Sequence, residues 1–394
     1  MRLSNLHRAR YLARALWAKN KLDVVRLFEL RLLRRHAGLR YYNFPPSVVQ
    51  IEITNRCNMR CKWCYRENLE MLGQVGDMPF EPLMKLIEEC RGTRLLHLFG
   101  EGEPLMYPRI IEVIRHAAKY VRVPSVTTNG TMLRHLGKAL VESGLGELAV
   151  SIDGSDPETF RAIRKVDLNR ILDNMRYFAS ISKIPIRINA VVSRDNIDSL
   201  RNMPELAASI GNVRTLHFQG LHESTASLDH GFVRLTTTDP DVGSFMDEVR
   251  AKCRHYGFET NVDNLEYFLD RPSPCVSPFA GIVYINKDGY LAPCCNYAHR
   301  PLASVFETGL RGALESTAAR DFRQLMLDED YPDHCRSWCG MTSRPQPGPS
   351  RANVPGFAGH PGGQPAGRTD APPANPPAAA PADGFIPLQV RDDG

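Results

Sequence analysis

Eight residues, CNMRCKWC (57–64), hold three cysteines, with three residues and then two between them. Thiolates bind soft metals, and three in one short loop point to a metal centre rather than to a packing role. Structural zinc takes four ligands, commonly in C-x2-C pairs. This loop offers three, at a spacing odd for a zinc ribbon. A cubane [4Fe–4S] cluster held by three thiolates leaves one iron without a protein ligand, open to a small chelating molecule. Arg60 and Lys62 add two positive charges beside the thiols, suited to an anionic cluster or simply to solvent.

The remaining cysteines are Cys90, Cys253, Cys275, Cys294, Cys295, Cys335 and Cys339. Cys90 and Cys253 fall in predicted helices, where a buried structural thiol is the ordinary expectation. The other five crowd into residues 275–339 and form a second potential metal set. Four cysteines suit either tetrahedral zinc or a closed iron–sulfur cluster. The chain shows no secretory signal, so reduced thiols in the cytoplasm fit better than disulfides.

The elements that must carry these loops alternate regularly. Predicted strands at 48–54, 94–100, 121–129, 147–154, 184–192 and 213–220 are rich in Val, Ile and Leu. Each is followed by a segment with helical periodicity, the last being the loop and helix of 236–257. Six such βα units predict an α/β fold, a partial (βα)6 TIM-like barrel with a parallel sheet inside and helices outside. Ligands of such folds gather at the carboxyl ends of the strands, where the first cysteine loop lies. Residues 1–44 read as basic N-terminal helices and 45–260 as the barrel. Residues 271–342 form a small cysteine-rich module, with a β-hairpin turning at Asp288-Gly289 and a helix over about 304–328. Residues 343–394, with twelve Pro and eight Gly, read as a disordered tail.

CNMRCKWC resembles the C-x3-C-x-aromatic-C signature of the radical S-adenosylmethionine (SAM) enzymes. Further motifs follow in order: FGEGEPLMYP (99–108), TTNGT (127–131), SIDG (151–154) and FRAIR (160–164). The second is similar to the family's Gly-Gly-Glu-Pro motif, with Glu101 replacing the first glycine while Gly102, Glu103 and Pro104 match. The resemblance covers residues 48 to about 220. It implies that Cys57, Cys61 and Cys64 hold three irons of a [4Fe–4S] cluster whose fourth iron is chelated by SAM. It assigns Glu103 to the SAM amino group, Trp63 to the adenine, Ser151 to the ribose and Arg164 to the carboxylate. Asn129 and Asn189 would add polar contacts on the same rim. Taken singly, these residues have ordinary alternatives: Trp63 as core, Glu103 as a helix cap, Ser151 as a turn former.

Cys275-x13-Gly289-x4-Cys294 resembles the opening of the SPASM module of radical SAM enzymes, here in the shortened Twitch form with one auxiliary [4Fe–4S] cluster. The resemblance implies Cys275, Cys294, Cys335 and Cys339 as ligands. Cys295 is left as an alternative to Cys294 or as a residue near the active site. It also implies a reducing partner such as a flavodoxin or ferredoxin. The expected reaction is hydrogen abstraction from a small polar, sugar-derived type of metabolite. Electron transfer to the auxiliary cluster would give dehydrogenation. Quenching by a thiol, Cys295 or Cys253, would give epimerisation. Two rivals stand beside it: a maturase of a ribosomally made peptide, and a non-catalytic zinc-stabilised binding protein.

Composition narrows the partners. Residues 1–41 carry a net charge of +9 against +5 for the whole chain, so the remainder carries −4. The basic segment is either a helical cap with a solvated face or a membrane-surface contact. It lacks the interleaved aromatics of a nucleic-acid platform, so no nucleic-acid partner is expected. No run of 18 apolar residues appears.

Overall fold

A computed structural model of the chain describes residues 45–64, 73–221, 235–236, 238–265, 278, 282–295, 301–328, 330–333 and 335–336. The expected N-terminal helices, the tail, Cys275 and Cys339 lie outside these residues.

Ten strands form one sheet, in the order β10-β9-β8-β1-β2-β3-β4-β5-β6-β7. Six correspond to the expected barrel strands: β1 (Val48–Ile51), β2 (Leu95–Leu98), β3 (Val123–Thr128), β4 (Glu147–Ser151), β5 (Ile186–Val192) and β6 (Val213–Gly220). They pair in parallel, neighbour to neighbour in sequence order. Short β7 (Glu259–Thr260) adds in parallel to β6, and the sheet is not closed on itself. This is the partial barrel expected.

The helices between strands are α1 (Phe80–Glu89), α2 (Ile110–Ala117), α3 (Leu133–Val141), α4 (Pro157–Arg164), α5 (Leu168–Ile181), α6 (Ile197–Leu200), α7 (Met203–Ala208) and α8 (Pro240–Tyr256). Each buries the apolar stripe its periodicity predicts: Leu83, Leu86 and Ile87 of α1, and Ile110, Val113, Ile114 and Ala117 of α2. Side chains cap the two helices nearest the site. Asp156 accepts from the Thr159 amide at 2.8 Å at α4, and Asp167 from the Asn169 amide at α5. The helical segment expected after the 184–192 strand is two helices, α6 and α7. Pro204 sits in the first turn of α7, where its missing amide hydrogen is harmless; inside a continuous helix it would break the ladder. Helix α4 was not anticipated as a separate element. Among the described residues, no helix is long and apolar enough to cross a membrane.

The C-terminal hairpin, β8 (Ile282–Ile285) and β9 (Tyr290–Ala292), is joined by β10 (Ala303–Ser304). It does not form a separate sheet. β8 pairs in parallel with β1, Gln50 opposite Tyr284 and Ile51 opposite Ile285. The helical segment expected at 304–328 is α9 (Val305–Leu314) and α10 (Thr317–Asp328). α9 is kinked at Gly309, whose φ is 71° and ψ 167°. At the kink the Leu310 amide donates to the Glu89 carboxylate of α1 at 2.6 Å, joining module to barrel. That backbone conformation is essentially restricted to glycine, and an added Cβ would lie 2.9 Å from Glu89 Oε2. Gly309→Ala is therefore expected to cost about 2 kcal/mol, read as a lower urea midpoint.

Candidate functional site

The first cysteine loop leaves β1 and is stitched to three neighbours. Lys62 N–H donates to the Ile163 carbonyl of α4 at 2.8 Å, and Lys62 Nζ pairs with Asp195 at 2.7 Å. Arg56 C=O accepts from Glu103 N–H at 2.7 Å. That approach requires glycine at 102. A Cβ there would lie 2.5 Å from the Thr54 carbonyl oxygen and 2.6 Å from that of Arg56.

Glu103 is buried just beyond β2. Its carboxylate accepts three hydrogen bonds: Leu105 N–H at 3.0 Å, Thr128 Oγ1–H at 2.7 Å and Asn129 N–H at 2.6 Å. Burial pushes its pKa up, against those three bonds and the Arg164 charge, which pull it down. It caps the short 3-10 turn Pro104–Met106 and ties that turn to the end of β3. A carboxylate has about four lone-pair directions, so one remains for a further donor.

Asn129 extends the chain of contacts to the thiols. Its Nδ2 donates to Asn58 Oδ1 at 2.9 Å and lies 3.8 Å from Cys57 Sγ. Arg164, the last residue of α4, pairs with Asp153 at 2.6 Å and places Nη1 3.8 Å from Cys61 Sγ. Burial disfavours its charge, but Asp153 and Cys61 outweigh that and raise its pKa. The half-buried thiols of Cys57 and Cys61 thus already face N–H donors, as anionic sulfur ligands require.

Trp63 is buried against Ile163 and Leu221, with Val191 beside them. Its indole N–H is buried without a partner among the described residues. Ser151 ends β4 and stands opposite Asn189 of β5. Asn189 Oδ1 is likewise a buried acceptor without a partner among the described residues. Glu103, Asn129 and Arg164 thus form a rim at Cys57 and Cys61, with Trp63 in the same loop, while Ser151 and Asn189 stand opposite each other at the carboxyl end of β4. An apolar slot, an orphaned donor and an orphaned acceptor are what an aromatic, polar cofactor would fill.

The remaining cysteines separate. Cys294 packs against the cluster of Phe322, Leu325, Met326, Tyr331 and Cys335, whereas Cys295 is exposed. Cys253 of α8 is not brought to the rim. It lies in the core of the helix layer, where burial pushes its thiol up to about 11 despite a hydrogen bond with Thr260. Burial likewise pushes Cys90 up to about 12, and its Sγ–H donates to the Leu86 carbonyl at 3.3 Å.

Sequence reasoning missed a second polar set, inside the barrel. His97 contacts Thr127 at 2.6 Å, Ser125 donates to Glu147 at 3.1 Å, and Arg187 pairs with Glu147 at 3.1 Å. Burial and the Arg187 charge lower His217 to about 4; the same causes, with His217, lower His97 to about 3. The signal was available as polar residues at alternate positions of strands otherwise read as apolar throughout: Ser125 and Thr127, Glu147 and (past Ala149) Ser151, Arg187 and Asn189.

Comparison with known proteins bears on this site directly. A model of the radical SAM superfamily matches residues 51–207, and one of the SPASM iron–sulfur cluster-binding domain matches 275–340. The chain carries a radical SAM domain with a C-terminal SPASM domain. Its cofactors are accordingly [4Fe–4S] clusters and SAM. A probable GTP 3′,8-cyclase of Methanocaldococcus jannaschii is 27% identical over 259 residues, 62% of this chain and 84% of the relative. The GTP 3′,8-cyclase of Marinobacter nauticus is 32% identical over 164 residues, 41% of this chain and about half (49%) of the relative. Among solved structures, Streptococcus suis SuiB bound to SAM superposes with a TM-score of 0.57 at 14% identity, covering 80% of this chain and 73% of SuiB. The structure of anSMEcpe with bound SAM gives 0.56 at 17%, covering 74% of this chain and 86% of anSMEcpe. At these identities the structures speak for the fold alone.

Two outcomes test these two polar sets. Gly102→Ala is expected to displace the cysteine loop and to lower reconstituted iron from about eight to about four per chain, measured anaerobically. His97 is neutral in the fold and ordinary in the unfolded chain, which therefore binds more protons between about pH 3 and 6.5. Stability therefore rises with pH through that window and is lost as the pH drops from about 6.5 toward 3. Urea unfolding at pH 7 and 5.5 checks it, with His97→Gln removing about 1.3 kcal/mol of the difference.

Proposed function

We propose that this radical SAM enzyme abstracts a hydrogen atom from a small polar, sugar-derived type of metabolite, and that the result is dehydrogenation or epimerisation. The observation that carries the reading is the shared rim: three thiols in one loop, backed by Asn129 and Arg164, beside a buried Glu103. When bound, the open cluster and SAM supply a 5′-deoxyadenosyl radical. The chain's own residues hold and shield it. Cys57, Cys61 and Cys64 are the cluster ligands. Glu103 keeps one lone-pair direction for the SAM amino group, and the unused N–H groups of Arg164 suit its carboxylate. Trp63 with Ile163, Leu221 and Val191 makes the adenine slot, and Ser151 and Asn189 face the ribose. Gly102 lets the loop close over Glu103.

In the SPASM module the ligand set is Cys275, Cys294, Cys335 and Cys339. Packing supports Cys294 over Cys295, because Cys294 shares a buried cluster with Cys335 while Cys295 faces solvent. Cys295 is then the thiol available to return a hydrogen atom, since Cys253 is sealed in the core. The enzyme acts in the cytoplasm with a flavodoxin or ferredoxin as electron donor, and residues 1–44 provide any contact with a membrane surface. A peptide substrate is the second reading. SuiB, whose fold this chain shares at a TM-score of 0.56, has been solved with its precursor peptide.

Anaerobic reconstitution should give about eight irons per chain, and changing Cys57, Cys61 and Cys64 to Ala should leave about four and end reductive SAM cleavage. Zinc in both sites would sink the proposal. In deuterated solvent, epimerisation predicts one solvent deuterium in the product, lost in Cys295→Ala. Dehydrogenation predicts none and no dependence on that thiol.

A further inference from the structure

Below the SAM rim, the inward positions of β1 to β6 converge on a polar lumen. Strand register places them in layers: Gln50, His97, Ser125 and Glu147, then Thr127, Ala149, Arg187 and Thr215, then Ser151, Asn189 and His217. Among the described residues these layers hold one cation, Arg187, and Glu147 already pairs with it at 3.1 Å. The acid at the β1 end, Glu52, is buried and accepts from the Tyr284 hydroxyl at 2.7 Å and the Glu101 amide at 3.0 Å. Burial and the Arg187 charge favour the uncharged form of both His97 and His217. The lumen nonetheless has unspent hydrogen-bonding capacity. Arg187 Nε–H is buried without a partner among the described residues, on the inward face of β5 just below the Asn189 given above to the cofactor.

We infer that this lumen selects an uncharged, hydroxyl- or amide-bearing substrate and excludes polyanions, with Arg187, His97 and His217 as specificity-determining residues and Glu147 as the residue that cancels the Arg187 charge. The inference rests on the function proposed above and names its substrate class. It separates this chain from the relatives named GTP 3′,8-cyclase. A triphosphate taken from water needs several unpaired cations or N–H donors to offset its desolvation. The described lumen offers a single guanidinium, and a carboxylate already occupies it. A neutral polyol or amide has no such cost and matches a mixed set of donors and acceptors.

The test uses the cluster-loaded full chain with SAM, under anaerobic conditions. Binding of GTP and of tripolyphosphate is measured by calorimetry. The unaltered chain should bind neither up to about 1 mM. Glu147→Gln keeps the shape but frees the Arg187 charge, and should tighten tripolyphosphate binding at least about tenfold; Glu147→Gln with Arg187→Gln should lose that gain. Circular dichroism checks that both variants fold. In parallel, a small-metabolite extract is split on an anion exchanger and each fraction is added to the enzyme. The neutral flow-through should raise 5′-deoxyadenosine formation above the substrate-free rate. Stimulation by GTP or by the retained anions, tight GTP binding that depends on Arg187, or an inert neutral fraction would overturn the inference. Failure to cleave SAM at all would instead sink the function proposed above, while the tripolyphosphate arm still reads the charge of the lumen.

Discussion

The geometry of the rim depends on one buried carboxylate. Glu103 lies where β1, β2 and β3 end, and a charged or polar group at such depth persists only if its lone pairs are met. Its backbone amide holds Arg56, at the root of the cysteine loop. Its side chain holds Thr128 and Asn129, at the end of β3. Asn129 in turn faces Cys57. A single residue therefore sets the distance between the loop that carries the thiols and the strand that carries their hydrogen-bond donor. Gly102 is the steric condition for this arrangement, since any side chain there would strike the carbonyls that Glu103 must approach.

The same logic joins the two cysteine regions. β8 of the SPASM module extends the barrel sheet beside β1, and the Tyr284 hydroxyl reaches Glu52 on the strand that leads into the first cysteine loop. Glu52 fits because position 100 is glycine; a Cβ there would lie 2.3 Å from Glu52 Cγ. The module is thus built onto the barrel through main-chain pairing and a buried polar contact, with Glu89 of α1 holding the kink of α9 from the other side. Neither contact is a surface ion pair of the kind that contributes little.

Much of the site was legible in the chain. Cysteine spacing is a local property, and a loop of eight residues brings its thiols together whatever surrounds it. Strand and helix periodicity is also local, which is why all six barrel strands lie where the apolar runs predict them. The misplacements have local causes too. Pro204 splits a helix whose apolar pattern runs straight through, and Gly309 bends one whose periodicity continues.

What the sequence by itself determined is the chemistry available: three thiols at the end of a strand, a Gly-Glu-Pro turn after the next, and a second cysteine set near the end. The tertiary structure decided how those groups divide. It turned Cys294 toward Cys335 and Cys295 toward solvent, sealed Cys253 in the core, and paired Arg187 with Glu147 inside the barrel. The physical reason is that burial and hydrogen-bond partners come from residues far apart in the chain. Glu52 and Tyr284 are 232 positions apart, and Arg164 and Cys61 are 103. No spacing rule spans such distances, so charge cancellation and thiol environment emerge only when the sheet is assembled.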